Sequence, residues 1–260
     1  MLSEFILREE NLGRYDLLFL TGLLSALGGF VVAILVQFQV SISTVVFAAL
    51  PLVYPLMSKF LNDEDDGRPH RSEIASYFSL FAGQASAFLI LGMLAREKFT
   101  AQLSAIGATG SFVNMDSLFI QILSNNMTVF AVIFFASVFI GSAGAFILTW
   151  NASVLGVFFS RLLSFRGTSD YVSPILYVPH ATLEISGFIL AGVTGSLVSA
   201  ALYRKHFDYD TWQDYGLLTG LGISLVITGA FLETGILYGF LAGLLSVMAF
   251  AYKLYTLGDL

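Results

Sequence analysis

Charged residues in this chain are sparse and clustered, and between the clusters run apolar stretches about as long as a bilayer crossing. A helix that spans the hydrocarbon needs about 20 predominantly apolar residues, and helix is the backbone form that satisfies its own hydrogen bonds in lipid. Uncharged runs of that size extend from Leu17 to Val36, Phe38 to Met57, Ile74 to Ala95, Ile185 to Tyr203, Tyr215 to Leu232 and Thr234 to Tyr252, the last two parted only by Glu233. A further uncharged stretch, Ser117 to Ser160, is too long for one crossing. We read Met127 to Trp150 as its span and the flanks as interfacial or re-entrant helix. The pattern predicts an all-α polytopic transmembrane bundle of seven spans, or six if the last two runs form one broken element.

The flanks of the long stretch carry their own signals. Asp116 is a good helix cap and the segment behind it is short, so Ser117 to Leu123 is expected to lie parallel to the membrane among the headgroups. Asn151 interrupts the apolar pattern, and Ala152 to Phe159 leads to Arg161 and Arg166, which predicts a bend followed by a half-helix. With a cytoplasmic amino terminus, the inner side would hold Arg8, Arg14, Lys59, Arg68, Arg71, Arg161 and Arg166. The outer side would hold Arg96, Lys98, Arg204, Lys205 and Lys253. That imbalance of cations favours this orientation.

Composition agrees with a membrane solvent. Of 260 residues, 57% are hydrophobic and 12% charged, with a mean hydropathy of +0.82, where a soluble domain carries about 25% charged residues. We expect a single membrane domain over residues 1–260. The first sixteen residues mix Arg8 and Arg14 with Glu4, Glu9, Glu10 and Asp16, unlike a basic leader, so the first span is expected to be retained. A net charge of −6, with an acidic cluster at Asp63 to Asp66, argues against nucleic acid, which needs basic surface to displace phosphate counterions. There is no cysteine, so disulfides and thiolate metal sites are excluded. The sequons at Asn126 and Asn151 flank one expected crossing and sit close to lipid, so glycosylation is not expected.

Within the apolar background, polar residues are the candidates for function. His180 and Glu184, at i and i+4, share a helix face, and that face continues through Gly187, Ala191, Gly195 and Ser199, a small-residue ribbon that lets another helix approach. Pro179 suits a first helical position, which would put His180 and Glu184 in the opening turns, where the dipole favours an anion. Glu233 shares a face with Gly229, Val226 and Gly222 and is followed by Gly235, Gly239 and Gly243 at four-residue spacing. Ionisable groups at membrane depth face the bundle interior or water, so both glutamates are expected to be buried together or to line a cavity. Asn125, Asn126 and Asn151 complete the polar set and read as helix-end caps. For His180 and Glu184 a structural hydrogen-bond pair, a proton-handling role and a metal site all remain open, as do an interface turn and a buried acid for Glu233. If the two helices pack together, the imidazole can bridge the carboxylates and keep at least one neutral or paired.

Enzyme signatures are missing. His70 and His206 sit in charged loops, there is no HExxH pair, and no nucleophile elbow, phosphate-binding loop or dinucleotide fingerprint occurs. One histidine with two or three acids is too small a donor set for a closed metal site, so no metal and no cofactor are expected, and no catalysis.

The order ILSNN (Ile122 to Asn126), TWNASVLG (Thr149 to Gly156), PHATLE (Pro179 to Glu184), AGVTGS (Ala191 to Ser196) and GAFLET (Gly229 to Thr234) resembles the stage II sporulation protein M family of integral membrane proteins. That family has a paired asparagine before a span, asparagine-glycine after it, a proline-histidine-glycine with a following glutamate, and a late intramembrane glutamate. The resemblance covers about Asp116 to Gly235. It divides the chain into amino-terminal helices over 17–115, a family-like core over 116–235, and a last helix and tail over 236–260. Ala152 and Ala181 stand where the family usually has glycine, each adding a Cβ where close backbone approach is expected. The resemblance implies a multi-pass protein of a prokaryotic cell membrane acting as anchor, scaffold or remodelling organiser. Its implied partners are membrane lipids and other membrane or envelope proteins, including peptidoglycan-degrading ones, with homo-oligomerisation left open. A channel or secondary transporter using His180, Glu184 and Glu233 is the alternative.

Overall fold

The computed structural model describes residues 14–65, 71–108, 115–164, 172–205, 209–235, 245–250 and 252–253. Its order is α1 (Tyr15–Val36), α2 (Val40–Asp65), α3 (Arg71–Leu94), a 3-10 turn (Arg96–Lys98), α4 (Thr100–Ala108), α5 (Met115–Ile140), α6 (Gly144–Ser164), α7 (Val172–Arg204) and α8 (Tyr209–Thr234). Seven of these helices are long and apolar enough to cross a membrane, and among the described residues there is no strand. The fold is an all-α polytopic bundle.

The seven candidate spans are not the seven expected. The uncharged stretch holds two spans, not one, because the chain turns at 141–143 between α5 and α6. Gly141 makes that turn with φ 63°, a left-handed conformation that glycine enters without a Cβ penalty. Ser117 to Leu123, expected to lie in the interface, belongs to α5 and runs without a break into the span. Asn151 lies inside α6, which shows neither the expected bend nor a half-helix. The expected last span, Thr234 to Tyr252, falls largely outside the described residues, with a helical segment at 245–250.

The chain divides into two compact units whose segments interleave. Met1–Lys59, Ala75–Ser111 and Ala145–Ser169 form the first, and Phe60–Ile74, Phe112–Gly144 and Asp170–Leu260 the second. In the first unit, Phe88 and Phe99 meet edge to face with centroids 6.0 Å apart, and Phe30 stacks on Phe99 at 5.7 Å. Ala26, Val45, Ala48, Leu91 and Val157 complete that core. The 3-10 turn carries the chain back so that Phe99 is fully buried. Small residues set the helix spacing: a Cβ on Gly156 would lie 2.5 Å from the Ala85 carbonyl oxygen, and one on Gly29 would lie 2.7 Å from the Ala48 nitrogen. The α1–α2 turn places Gln37 (φ 56°) and Gln39 (φ 37°) in the left-handed region, at a cost of roughly 1 to 2 kcal/mol each.

The second unit is α5, α7 and α8 packed together. Its central element is α7, which is buried without interruption from Ser186 to Val198. The two faces of α7 take different partners. A Cβ on Gly187 would lie 2.8 Å from the Gly222 carbonyl oxygen on α8, and one on Gly195 would lie 2.5 Å from the Phe134 carbonyl oxygen on α5.

Two outcomes are expected. A Cβ on Gly83 runs into the Phe19 carbonyl oxygen, whereas one on Gly28 meets nothing within 4 Å. Gly83→Ala should therefore destabilise by about 1 to 3 kcal/mol, and Gly28→Ala should stabilise by about 0.5 to 1 kcal/mol, both read by thermal unfolding in detergent. With α5 and α6 as separate crossings, Arg161 exchanges sides with Arg204 and Lys205. In the cysteine-free chain, Lys98→Cys and Lys205→Cys should then label from opposite faces of the membrane. Labelling of both from one face would rule out the two-span arrangement of 115–164.

Candidate functional site

The polar residues that cluster are on α5, α7 and α8. Pro179 lies inside α7, which begins at Val172, so the expected helix start at Pro179 is corrected: His180 and Glu184 are not in the opening turns, and the terminal dipole does not act on them. Proline brings no backbone N–H, which leaves the carbonyl of Ile175 without its helical donor at this level of the helix.

One turn beyond His180, the Glu184 carboxylate is joined to the neighbouring helix. Asn126 Nδ2 donates to Glu184 Oε1 at 2.6 Å, and Asn125 Nδ2 donates to Asn126 Oδ1 at 3.3 Å. Asn126 is buried while Asn125 is exposed, so the three side chains form a line from the surface of α5 to the carboxylate on α7. Accepting on one atom and donating on the other fixes the orientation of the Asn126 amide, since a flipped amide would turn an oxygen toward the carboxylate.

The third wall is α8. A Cβ on Gly229 would lie 2.6 Å from Glu184 Cγ and 3.3 Å from the His180 carbonyl oxygen, so the side chain of Glu184 lies flat against the helix backbone at a position where only hydrogen fits. Val226 and Gly222, one and two turns earlier, pack on Gly187. Glu233, one turn later and half-buried, is within electrostatic reach of Glu184. His180 is half-buried on the turn before it. Phe119 on α5 packs against Phe231 on α8 with centroids 4.4 Å apart, so aromatic contact joins the same two helices.

The remaining expected residues divide. Ala191 is fully buried on α7. Gly235 has only ordinary contact, a Cβ there lying 3.6 Å from the Phe231 carbonyl oxygen, and Gly239 and Gly243 lie outside the described residues. The three asparagines do not cap helix ends. Asn125 and Asn126 are in the middle of α5, and Asn151, in the first unit, bonds back within α6 from Nδ2 to the Ile147 carbonyl at 2.8 Å. Among the described residues, no group of three or more His, Cys, Asp or Glu side chains is placed to hold a metal ion.

Sequence reasoning missed a second polar set, in the first unit. Gln102 on α4 is fully buried, and its Nε2 donates to the Ser41 carbonyl on α2 and to Ser153 Oγ on α6, both at 3.1 Å. Thr149 Oγ1 on α6 donates to Gln84 Oε1 on α3 at 3.1 Å. Thr149 and Ser153 fall in the same motif as Asn151, and Ala152 between them is fully buried. An isolated glutamine in an uncharged run was the available signal.

Comparison with known families gives one finding. The family model for stage II sporulation protein M matches residues 17–236. The match takes in the three amino-terminal helices, which the motifs between 116 and 235 had left outside, and so corrects that boundary. No curated protein and no solved structure matches the chain.

A double-mutant cycle checks the central contact. Interhelical hydrogen bonds in membrane proteins average about 0.6 kcal/mol and reach about 1.7. Asn126→Ala and Glu184→Ala should couple within that range. Strictly additive losses of thermal stability would break the link between the two side chains.

Proposed function

The chain belongs to the stage II sporulation protein M family, and from that premise we propose that this multi-pass membrane protein is a non-enzymatic scaffold that organises partner proteins in a prokaryotic cell membrane. The observation that carries the reading is the fixed state of its intramembrane carboxylate. Glu184 is bonded to Asn126 on one helix and closed over by Gly229 on another, so the group that could have moved an ion holds three helices together instead. The amides of the first unit have the same character, with Gln102 and Gln84 each tying helices from distant parts of the chain. Large apolar side chains such as Phe135, Phe139 and Ile140, exposed on α5 of the second unit, suit a role in which other membrane or envelope proteins and lipids pack against it.

A second reading keeps the same residues. Two carboxylates within electrostatic reach inside candidate spans are the feature that a channel or secondary transporter would use, with His180 as their neighbour. The two readings separate by experiment. Crosslinking in intact membranes should retain a defined envelope partner with the parent chain and lose it when Gly229→Ala or Asn126→Ala disturbs the three-helix packing. Purified protein in liposomes should conduct no ion or proton. Flux that Glu184→Gln abolishes would replace the scaffold with a transporter.

A further inference from the structure

We propose that the first unit binds a single ordered water molecule at the Gln84 side chain, between α2, α3 and α6. A cavity of about 20 Å³ lies there, lined by Leu52 and Leu56 of α2, Tyr77 and Gln84 of α3, and Leu148 and Thr149 of α6 among others. One water needs roughly 10 to 15 Å³ by this measure and two to four polar partners. The volume therefore matches one such molecule.

The chemistry of the lining names the occupant. Gln84 is 97% buried, and its amide is used on one side only: Oε1 accepts from Thr149, while Nε2 is buried with no protein acceptor among the described residues. A buried N–H donor calls for an acceptor, which excludes a cation. No cationic side chain lines the cavity, which excludes an anion, and an apolar occupant would leave the donor unmet. Reversing the Gln84 amide does not remove the need, because Nε2 would then serve Thr149 and the carbonyl oxygen would become the unmet atom. Water answers either orientation, since it donates and accepts.

The protons of that water have acceptors in prospect on the same elements. Thr149 spends its own proton on Gln84 and keeps its lone pairs, and it lines the cavity beside Gln84. α2 carries Pro51 and Pro55 within its length. Each lacks the N–H that would bond the carbonyl four residues earlier, so the carbonyls of Phe47 and Pro51 have no helical donor, on the helix whose Leu52 and Leu56 wall the cavity. Ordered water re-satisfies such proline-freed groups inside membrane helices.

An experimental density map of the full-length protein, at a resolution that shows ordered solvent, should contain one peak within hydrogen-bond distance of the Gln84 amide. With 15N-labelled glutamine, the Gln84 side-chain amide should show cross-relaxation with water. Both signals should be lost in Gln84→Met, which keeps the length of the side chain without its polar atoms. A solvent-free cavity in the parent map would overturn the proposal, as would Nε2 found bonded to a protein group. If the variant does not fold, the parent map and its amide cross-relaxation decide the question alone.

Discussion

Inside a membrane bundle a polar side chain cannot turn to water, so it bonds back to its own helix, as Asn151 does to Ile147, or finds a partner on a neighbouring helix. The contacts between helices follow from that constraint. Asn126 meets Glu184 across α5 and α7, Gln84 meets Thr149 across α3 and α6, and Gln102 reaches both α2 and α6. Such bonds average about 0.6 kcal/mol and reach about 1.7, so none is a large source of stability. Their weight is in specificity, because a rotated or shifted helix would strand a buried amide or carboxylate, at roughly 1 to 3 kcal/mol for each unmet group.

Glycine and serine make those meetings geometrically available. Hydrogen bonds between helices require backbones close enough for short side chains to span the gap, and the contacts at Gly29, Gly156, Gly187, Gly195 and Gly229 leave no room for a Cβ without displacement. Packing and polar pairing thus constrain the same surfaces. The ribbon on α7 shows the combination: Gly187 admits α8, Gly195 admits α5, and Glu184, between the two partners, is reached by Asn126 and covered at Gly229.

Much of the fold was legible where charge marks the ends of spans, as at Arg14 and Asp16 around the start of α1 or Arg204 and Lys205 at the end of α7. It was illegible at Gly141 to Ala143, where the turn carries neither charge nor proline and two crossings read as one long stretch. That single error displaced the asparagines: with a span assumed to start at Met127, Asn126 looked like an end cap, although it sits in the middle of α5. Pro179 misled in the same way, because an internal proline and a first-turn proline look alike without the preceding turns. Of the site, the shared face of Gly222, Val226, Gly229 and Glu233 could be read from four-residue spacing. The partner of Glu184 could not, since it lies 58 residues away and an adjacent asparagine pair carries no spacing signal. Gln84 and Gln102 stayed silent for the same reason, with partners 51 to 65 residues distant.

The interleaving of the two units bears on how the chain is made. α6 supplies Thr149, Ser153 and Gly156 to the first unit, yet it follows α5, which belongs to the second. While the ribosome is still producing α5, Gln84 and Gln102 have been made without the α6 side chains that they later meet. The early helices must therefore remain loosely associated, or sheltered by the insertion machinery, until α6 arrives. Biogenesis here cannot proceed as one finished module after another, and a nascent chain stopped after α5 would present its buried amides to lipid.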